Sequence, residues 1–438
     1  MKRIISSNWI RVRIILDKFP SSHADSTLIR GRQMNTHKLL DAKRMRCSKY
    51  LRYINSHAVG SIFQCNLKFM RIFSTTLFVV LLGVVICSDQ VFVCAAENQE
   101  SIIQELAVPE KGAYAGAYVD FGEGEDDVTL EAIEGYEKMV GKHQAVIGLG
   151  NFWGEQQFPK KNVHIITRYG AVPLLYWSPW DKPYTEGALP NRFNLYNILG
   201  GMWDAYIDKW ADDAKDFGKP LLVAWGIEMN GTWFPWSGYY YGGGQKDFLN
   251  QPSDYLGPKI FKQAYRYVVD RVRAKGVRNI QWVFHLNNYS HPTADWNRFA
   301  AYYPGSNYVD WLGLSIYGKL EKFMGWGSFY DVCNKAYQEI CRIDPSKPLM
   351  AAEWGVGEFP ASGNKAEWLR KAFKDFKERF PRIKAAVYWH ERWQNADESY
   401  SNLRVNSSPE ALGAFREGME DIYWIGKPRF QIKGSSKP

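Results

Sequence analysis

The sequence predicts an α/β fold, a (β/α)8 TIM barrel built as a single domain behind an N-terminal leader. Three observations predict it. Past Glu97, eight apolar runs recur, each followed by a polar or aromatic end and then a helical stretch. The runs are nearly continuous in apolar character, as parallel strands covered on both faces must be. Residues 97–438 also leave ample length for such a barrel, which takes ~250 residues.

In order, the predicted strands are Tyr114–Phe121, Ala145–Phe152, Ala171–Trp177, Leu221–Ile227, Ile280–Leu286, Trp311–Ile316, Leu349–Ala352 and Ala385–Trp389. Helical periodicity is clearest at Tyr196–Phe217, Ile260–Lys275, Phe329–Ile343 and Ala366–Arg379. Regular alternation favours a closed barrel over an open doubly wound sheet. The turn after the first strand, Gly122-Glu123-Gly124-Glu125, is acidic and would repel a pyrophosphate, which argues against a dinucleotide site.

The region before the barrel is of a different kind. Residues 1–69 carry 14 Lys+Arg against Asp17, Asp25 and Asp41, a net of +11; the whole chain is +9, so the remaining residues sum to −2. The basic balance therefore belongs to the leader, and the barrel gives no reason to expect a nucleic-acid partner. Met70-Arg71-Ile72-Phe73-Ser74, the apolar run Leu77 to Cys87 and the small residues Cys94-Ala95-Ala96 follow the order of a secretory signal. The expected layout is a basic leader over 1–69 outside the native fold, a signal peptide or anchor over 70–96 and the barrel over 97–438. Secretion, or a periplasmic or cell-surface location, follows from it. Four of six cysteines lie in this region; Cys333 and Cys341, eight residues apart on one predicted helix, stand about 12 Å apart along its axis and cannot pair.

In barrels of this class the C-terminal strand ends build the site. Here those ends carry Phe152-Trp153, Trp177 and Trp180, Glu228 to Trp236, His285 to Asn288, Tyr317, Glu353-Trp354 and Trp389-His390-Glu391. Flat indole faces beside hydrogen-bonding groups suit sugar rings, which offer apolar C–H faces and polar edges. Two glutamates end the fourth and seventh strands, which face each other across an eight-stranded barrel. Cleaving a glycosidic bond needs one proton donor and one anion at the anomeric centre, and Glu228 and Glu353 are placed to supply them.

These residues resemble glycoside hydrolase family 26, the family of many β-mannanases, over about residues 110–400. The likeness lies in Glu228-Met229-Asn230-Gly231 with Trp233 and Trp236, in Glu353-Trp354-Gly355, in Tyr303-Pro304-Gly305 and Tyr308-Val309-Asp310-Trp311-Leu312-Gly313 leading to Tyr317, in Trp282-Val283 with Asn287, and in Tyr388-Trp389. The resemblance implies a retaining two-step hydrolysis of a β-linked polysaccharide, mannan or a related glycan, with Glu228 as acid/base and Glu353 as nucleophile. It also implies that Tyr317 orients Glu353 and that Trp389 floors the sugar at the cleavage point. Enclosure by Trp225 and Trp233 is expected to raise the Glu228 pKa. The sequence departs from the family where a His usually precedes the acid/base, here Ile227, and at an often acidic position, here Ser315.

Substrate contacts are further expected from Trp153, Trp180, Asn230, Trp233, Trp236, His285, Asn287 and Trp389. Glu358 and Glu391 compete as acids near the rim, while His285 and His390 lack a ligand cluster and are not read as metal sites. His143 and His164 read as structural residues without assigned partners. Ser237–Gly244, with three Tyr beside the run Gly242-Gly243-Gly244, is expected to be a mobile rim loop. Two carboxylates suffice for the reaction, so no cofactor is implied; the partner is the polysaccharide or an oligosaccharide, with no obligate protein partner evident. A carbohydrate-binding barrel that does not cut, and a transglycosylase or exopolysaccharide-processing enzyme, are the alternatives. A reducing-sugar assay separates the first and product analysis the second.

Overall fold

The computed structural model describes residues 103–121, 128–181, 191–247, 251–395 and 398–434. The expected leader, the signal-like segment and the acidic turn 122–125 lie outside the described residues.

Eight parallel strands close into a barrel: β1 (Ala113–Val119), β2 (Val146–Phe152), β3 (Val172–Ser178), β4 (Leu221–Trp225), β5 (Ile280–Asn287), β6 (Trp311–Tyr317), β7 (Leu349–Gly355) and β8 (Ile383–His390). Each pairs with its neighbour in order, and β8 closes on β1 through Ala385↔Tyr114 to His390↔Val119. Nearly every strand residue is buried, which explains the unbroken apolar runs. One tie crosses the interior: the Tyr176 hydroxyl on β3 donates to the Ala352 carbonyl on β7 at 2.7 Å.

Outside run α1 (Leu130–Val140), α2 (Lys160–Tyr169), α3 (Asp204–Phe217), α4 (Leu256–Ala274), α5 (Phe329–Ile343), α6 (Lys365–Glu378) and α7 (Pro409–Glu420). Their starts are chemically marked. Thr129, Ser328, Asn364 and Ser408 cap first turns with side-chain oxygens, and at Ser328 the reciprocal contact from Asp331 completes a capping box. The single helix expected over Tyr196–Phe217 is instead Leu195–Leu199 followed by α3, because Gly200-Gly201 interrupts it with Gly201 at φ 78°.

Away from the strand C-termini, Gln104–Leu106 pairs antiparallel with Phe430–Ile432, and Trp424–Ile425 adds parallel to β1. Gln281, near the start of β5, bonds both the N–H and the C=O of Leu106, tying this minor sheet to the barrel. Cys333 and Cys341 are both free.

Candidate active site

The expected fourth strand ends two residues early, and the cause lies at the site itself. After Trp225 the backbone turns through Gly226 at φ 59° and Glu228 at φ 54°. A left-handed glycine is ordinary; a left-handed glutamate costs about 1–2 kcal/mol and is held only where its surroundings insist. They insist through the Glu228 N–H, which donates to the His285 carbonyl on β5 at 2.8 Å, and its carbonyl, which accepts from Gly231 N–H. The buried carboxyl is gripped at both oxygens: Oε1 accepts from Asn287 Nδ2 at 2.9 Å and Oε2 from Trp233 Nε1 at 2.6 Å, with the Ser315 hydroxyl as a further donor.

Asn230 and Asn287 set that grip. Asn230 Oδ1 accepts from Asn287 N–H, while its Nδ2 reaches the carbonyls of Asn287 and Tyr289 and the Ser290 hydroxyl. Fully buried, Asn230 buckles the loops after β4 and β5 and leaves Asn287 to face the carboxyl.

Glu353 lies inside β7, where the register against β6 shifts between Ala351 and Glu353 and brings Glu353 opposite Ser315. Tyr317 at the end of β6 donates to Glu353 Oε2 at 2.8 Å. Oε1 has no hydrogen-bond partner among the described residues, so one oxygen of a buried carboxylate keeps its lone pairs uncommitted. His285 Nε2 stands 4.0 Å from that oxygen. The contact is not an ion pair, because complete burial depresses the His285 pKa to about 3 and leaves the ring neutral. His285 Nε2 instead lies 2.8 Å from Ser315 Oγ, and because the serine hydrogen goes to Glu228 the ring takes the tautomer that donates from Nε2–H.

Burial raises both carboxyls. Glu353 is held well above the ordinary carboxylate range, first by desolvation and then by the charge of Glu228, with only Tyr317 opposing. Glu228 is raised by desolvation but drawn back by Ser315, Asn287 and Trp233. Trp233 was expected to raise this pKa by enclosure; its indole N–H does the reverse by donating to the carboxylate. Trp225 packs in the core against Phe261 and Tyr265. The two acids share one environment and titrate as a pair.

The other expected contacts divide. Trp153 has no exposed surface and packs among Trp177, Phe193 and Tyr206, so it offers no face to a ligand. Trp236 stacks on Phe234 and donates to the Ile227 carbonyl, a scaffolding role. Trp180 is 8% exposed and meets Phe234 and Trp236 edge-on. Trp389 lies flat on Tyr118, 3.8 Å between ring centroids, and donates from Nε1 to Glu391 at 2.7 Å. Glu391 thereby positions the indole, and burial pushes its pKa up to about 8. Glu358 is turned away to accept from Ser407 and Ser408. His390 Nδ1 accepts from Val405 N–H. His143 has a partner the sequence did not reveal, Glu137 at 2.9 Å.

Ser237–Gly244 is a built turn rather than an open loop. Gly238–Tyr241 forms a 3-10 helix, and Tyr241 OH bonds Pro235 and Leu195. Gly257 is required there, since a Cβ would stand 2.2 Å from the Gly238 carbonyl. A cavity of about 660 Å³ lined by Lys111, Tyr114, Tyr423 and Arg429 opens at the opposite end of the barrel, and neither catalytic candidate lines it.

The sequence model of Glycosyl hydrolase family 26 matches residues 184–381, a span holding both Glu228 and Glu353. Over that span the barrel is similar to glycosyl hydrolase family 26. Among curated relatives, the chain is 29% identical over 322 residues to Endoglucanase H of Acetivibrio thermocellus, covering 72% of this chain and 31% of that protein. It is 24% identical to a Mannan endo-1,4-beta-mannosidase of Bacillus subtilis, over 57% of this chain and 60% of that protein. It is 23% identical to a Beta-1,3-xylanase of a Vibrio species, over 53% and 50%. The match thus spans about a third to three fifths of these relatives. Two solved structures share the fold: a modular endo-β-1,4-mannanase from Cellulomonas fimi (19% identity, TM-score 0.52, 72% of each chain) and the catalytic domain of a Bacillus sp. endo-β-1,4-mannanase (19%, 0.51, 72% of this chain and 87% of that one).

Proposed function

We propose that the protein is a retaining glycoside hydrolase that cleaves a β-linked polysaccharide by double displacement. Glu353 Oε1 attacks the anomeric carbon as Glu228 gives its proton to the departing oxygen; Glu228 then takes a proton from water, which releases the sugar from Glu353. The observation that carries this reading is Ser315, which sits in register with Glu353 while its hydroxyl serves Glu228, so that a carboxyl on β7 and one in the turn after β4 flank the same serine. Tyr317 orients the nucleophile and leaves its second oxygen open. The curated relatives are named for glucan, mannan and 1,3-xylan, which makes these the glycans to test. Action outside the cell is part of the proposal and rests on the signal-like order from Met70 to Ala96.

The test is reducing-sugar release from β-glucan, β-1,4-mannan and β-1,3-xylan by the native protein, Glu228→Gln and Glu353→Ala. Native release that falls by several orders of magnitude in both variants supports the proposal. Sodium azide added to Glu353→Ala with an activated aryl donor should yield a glycosyl azide of inverted configuration. Full activity in Glu353→Ala removes it from the nucleophile role.

A further inference from the structure

We propose that Tyr289, together with Trp233, forms the platform that binds the departing half of the glycan. The proposal rests on the double-displacement reading, because that mechanism gives the site a direction. The bond that breaks joins C1 to the leaving oxygen, the bond that forms joins C1 to Glu353, and the proton passes from Glu228 to the leaving oxygen. Whatever lies beyond Glu228, away from Glu353, therefore faces the leaving fragment.

Trp233 defines that side, since its indole N–H holds Glu228 Oε2. Tyr289 stands next to it, 6.0 Å between ring centroids at 58°, and the two rings come from different loops, after β4 and after β5. The Tyr289 phenol is pushed up to about 12, by desolvation and then by the charges of Glu228 and Glu321.

Two features separate Tyr289 from an incidental surface aromatic. Its backbone is clamped by the same asparagines that hold the acid/base: its N–H donates to Asn287 Oδ1 at 3.1 Å and its carbonyl accepts from Asn230 Nδ2 at 3.2 Å. Yet the residue remains 47% exposed above a buried support of Asn230 and Asn287. Tyr240, also on the rim, instead spends its hydroxyl on the Thr232 carbonyl. A fixed aromatic face with a free edge is the chemistry that stacks on a pyranose C–H face. The same platform would receive an incoming sugar in the second step, where an acceptor hydroxyl gives its proton to Glu228 as C1 leaves Glu353.

The test uses donors that differ only on the leaving side. 2,4-Dinitrophenyl cellotrioside and mannotrioside carry no sugar there and an aglycone that departs without protonation; cellohexaose and mannohexaose have sugars on both sides. For Tyr289→Ala, the ratio of kcat/KM on the hexasaccharide to that on the aryl donor should fall at least tenfold, and transfer of the glycosyl group to added cellobiose or mannobiose should fall with it. Tyr289→Phe, which keeps the ring, should restore the ratio to within about threefold of native. An unchanged ratio in Tyr289→Ala, or an equal loss on both donors, overturns the platform. If the native protein cleaves only β-1,3-xylan, the matching xylotrioside and xylohexaose replace these donors; a native protein that releases sugar from none of the three glycans overturns the hydrolase reading, and the platform with it, and thermal melts of each variant separate either result from misfolding.

Discussion

Ser315 Oγ lies 2.8 Å from His285 Nε2, and the serine proton decides which of the two donates. The single hydroxyl hydrogen of Ser315 serves Glu228, so the neutral imidazole must be the donor in this contact, through Nε2–H. Ser315 thus links an uncharged histidine to Glu228, the proposed acid/base.

Removing that link should be visible in the pH profile. Ser315→Ala deprives the ionised Glu228 of a donor, so its pKa rises and the alkaline limb of kcat/KM moves to higher pH. It also strands a buried imidazole N–H, at about 1–3 kcal/mol of stability. Rate measurements from pH 4 to 10 with a urea melt check both; an alkaline limb that moves down contradicts the assignment.

Tyr317→Phe should act on the opposite limb. Without the 2.8 Å hydrogen bond, the Glu353 carboxylate loses its one opposing influence and its pKa rises further. The acid limb then moves up in pH, because more alkaline conditions are needed to ionise the nucleophile. Loss of a hydrogen bond to a charged group costs about 1.5–3 kcal/mol, so kcat at the optimum should fall roughly ten- to hundredfold.

Glu391 offers a stability test. Folded, it holds its proton to about pH 8; unfolded, it releases it near the ordinary value of 4.5. Across that window the folded state binds more protons, so stability falls as pH rises, by at most on the order of 5 kcal/mol. Glu391→Gln cannot ionise and still accepts from Trp389 through its amide oxygen. Its melting temperature should exceed that of the native protein at pH 9, and the gap should close toward pH 5. A native melting temperature as high at pH 9 as at pH 6 would count against this account.

Lys365 is a second buried titrating group, with its pKa lowered to about 7 by desolvation. Its ammonium bonds the carbonyls of Asn402 and Arg404 and the Ser407 hydroxyl. Lys365→Met removes all three bonds and should destabilise the barrel by about 3 kcal/mol or more. Hydrogen exchange should show the loss concentrated in residues 402–407.

The barrel was legible because every strand is buried on both faces, which writes its position as an apolar run. The two glutamates could be singled out because each follows or ends an apolar strand run, where barrels of this class place their sites. What the sequence concealed depends on close contacts between loops. Nothing in Asn230 or Asn287 alone says that one clamps the other, and an aromatic count cannot tell Trp153, sealed in the core, from Tyr289, left half open. The helix break at Gly200-Gly201 was readable from its glycines, whereas the early end of β4 was not, because a glutamate at φ 54° has no local sequence signal.

That backbone angle puts a conformational cost on Glu228, the proposed acid/base. Glycine and asparagine accept a left-handed turn more readily than glutamate, so Glu228→Gly or Glu228→Asn relieves the conformational debt while abolishing proton donation. A library screened for heat resistance alone should drift toward those residues at 228, and a library screened for turnover should never leave glutamate. The fold and its chemistry therefore want different amino acids at one position.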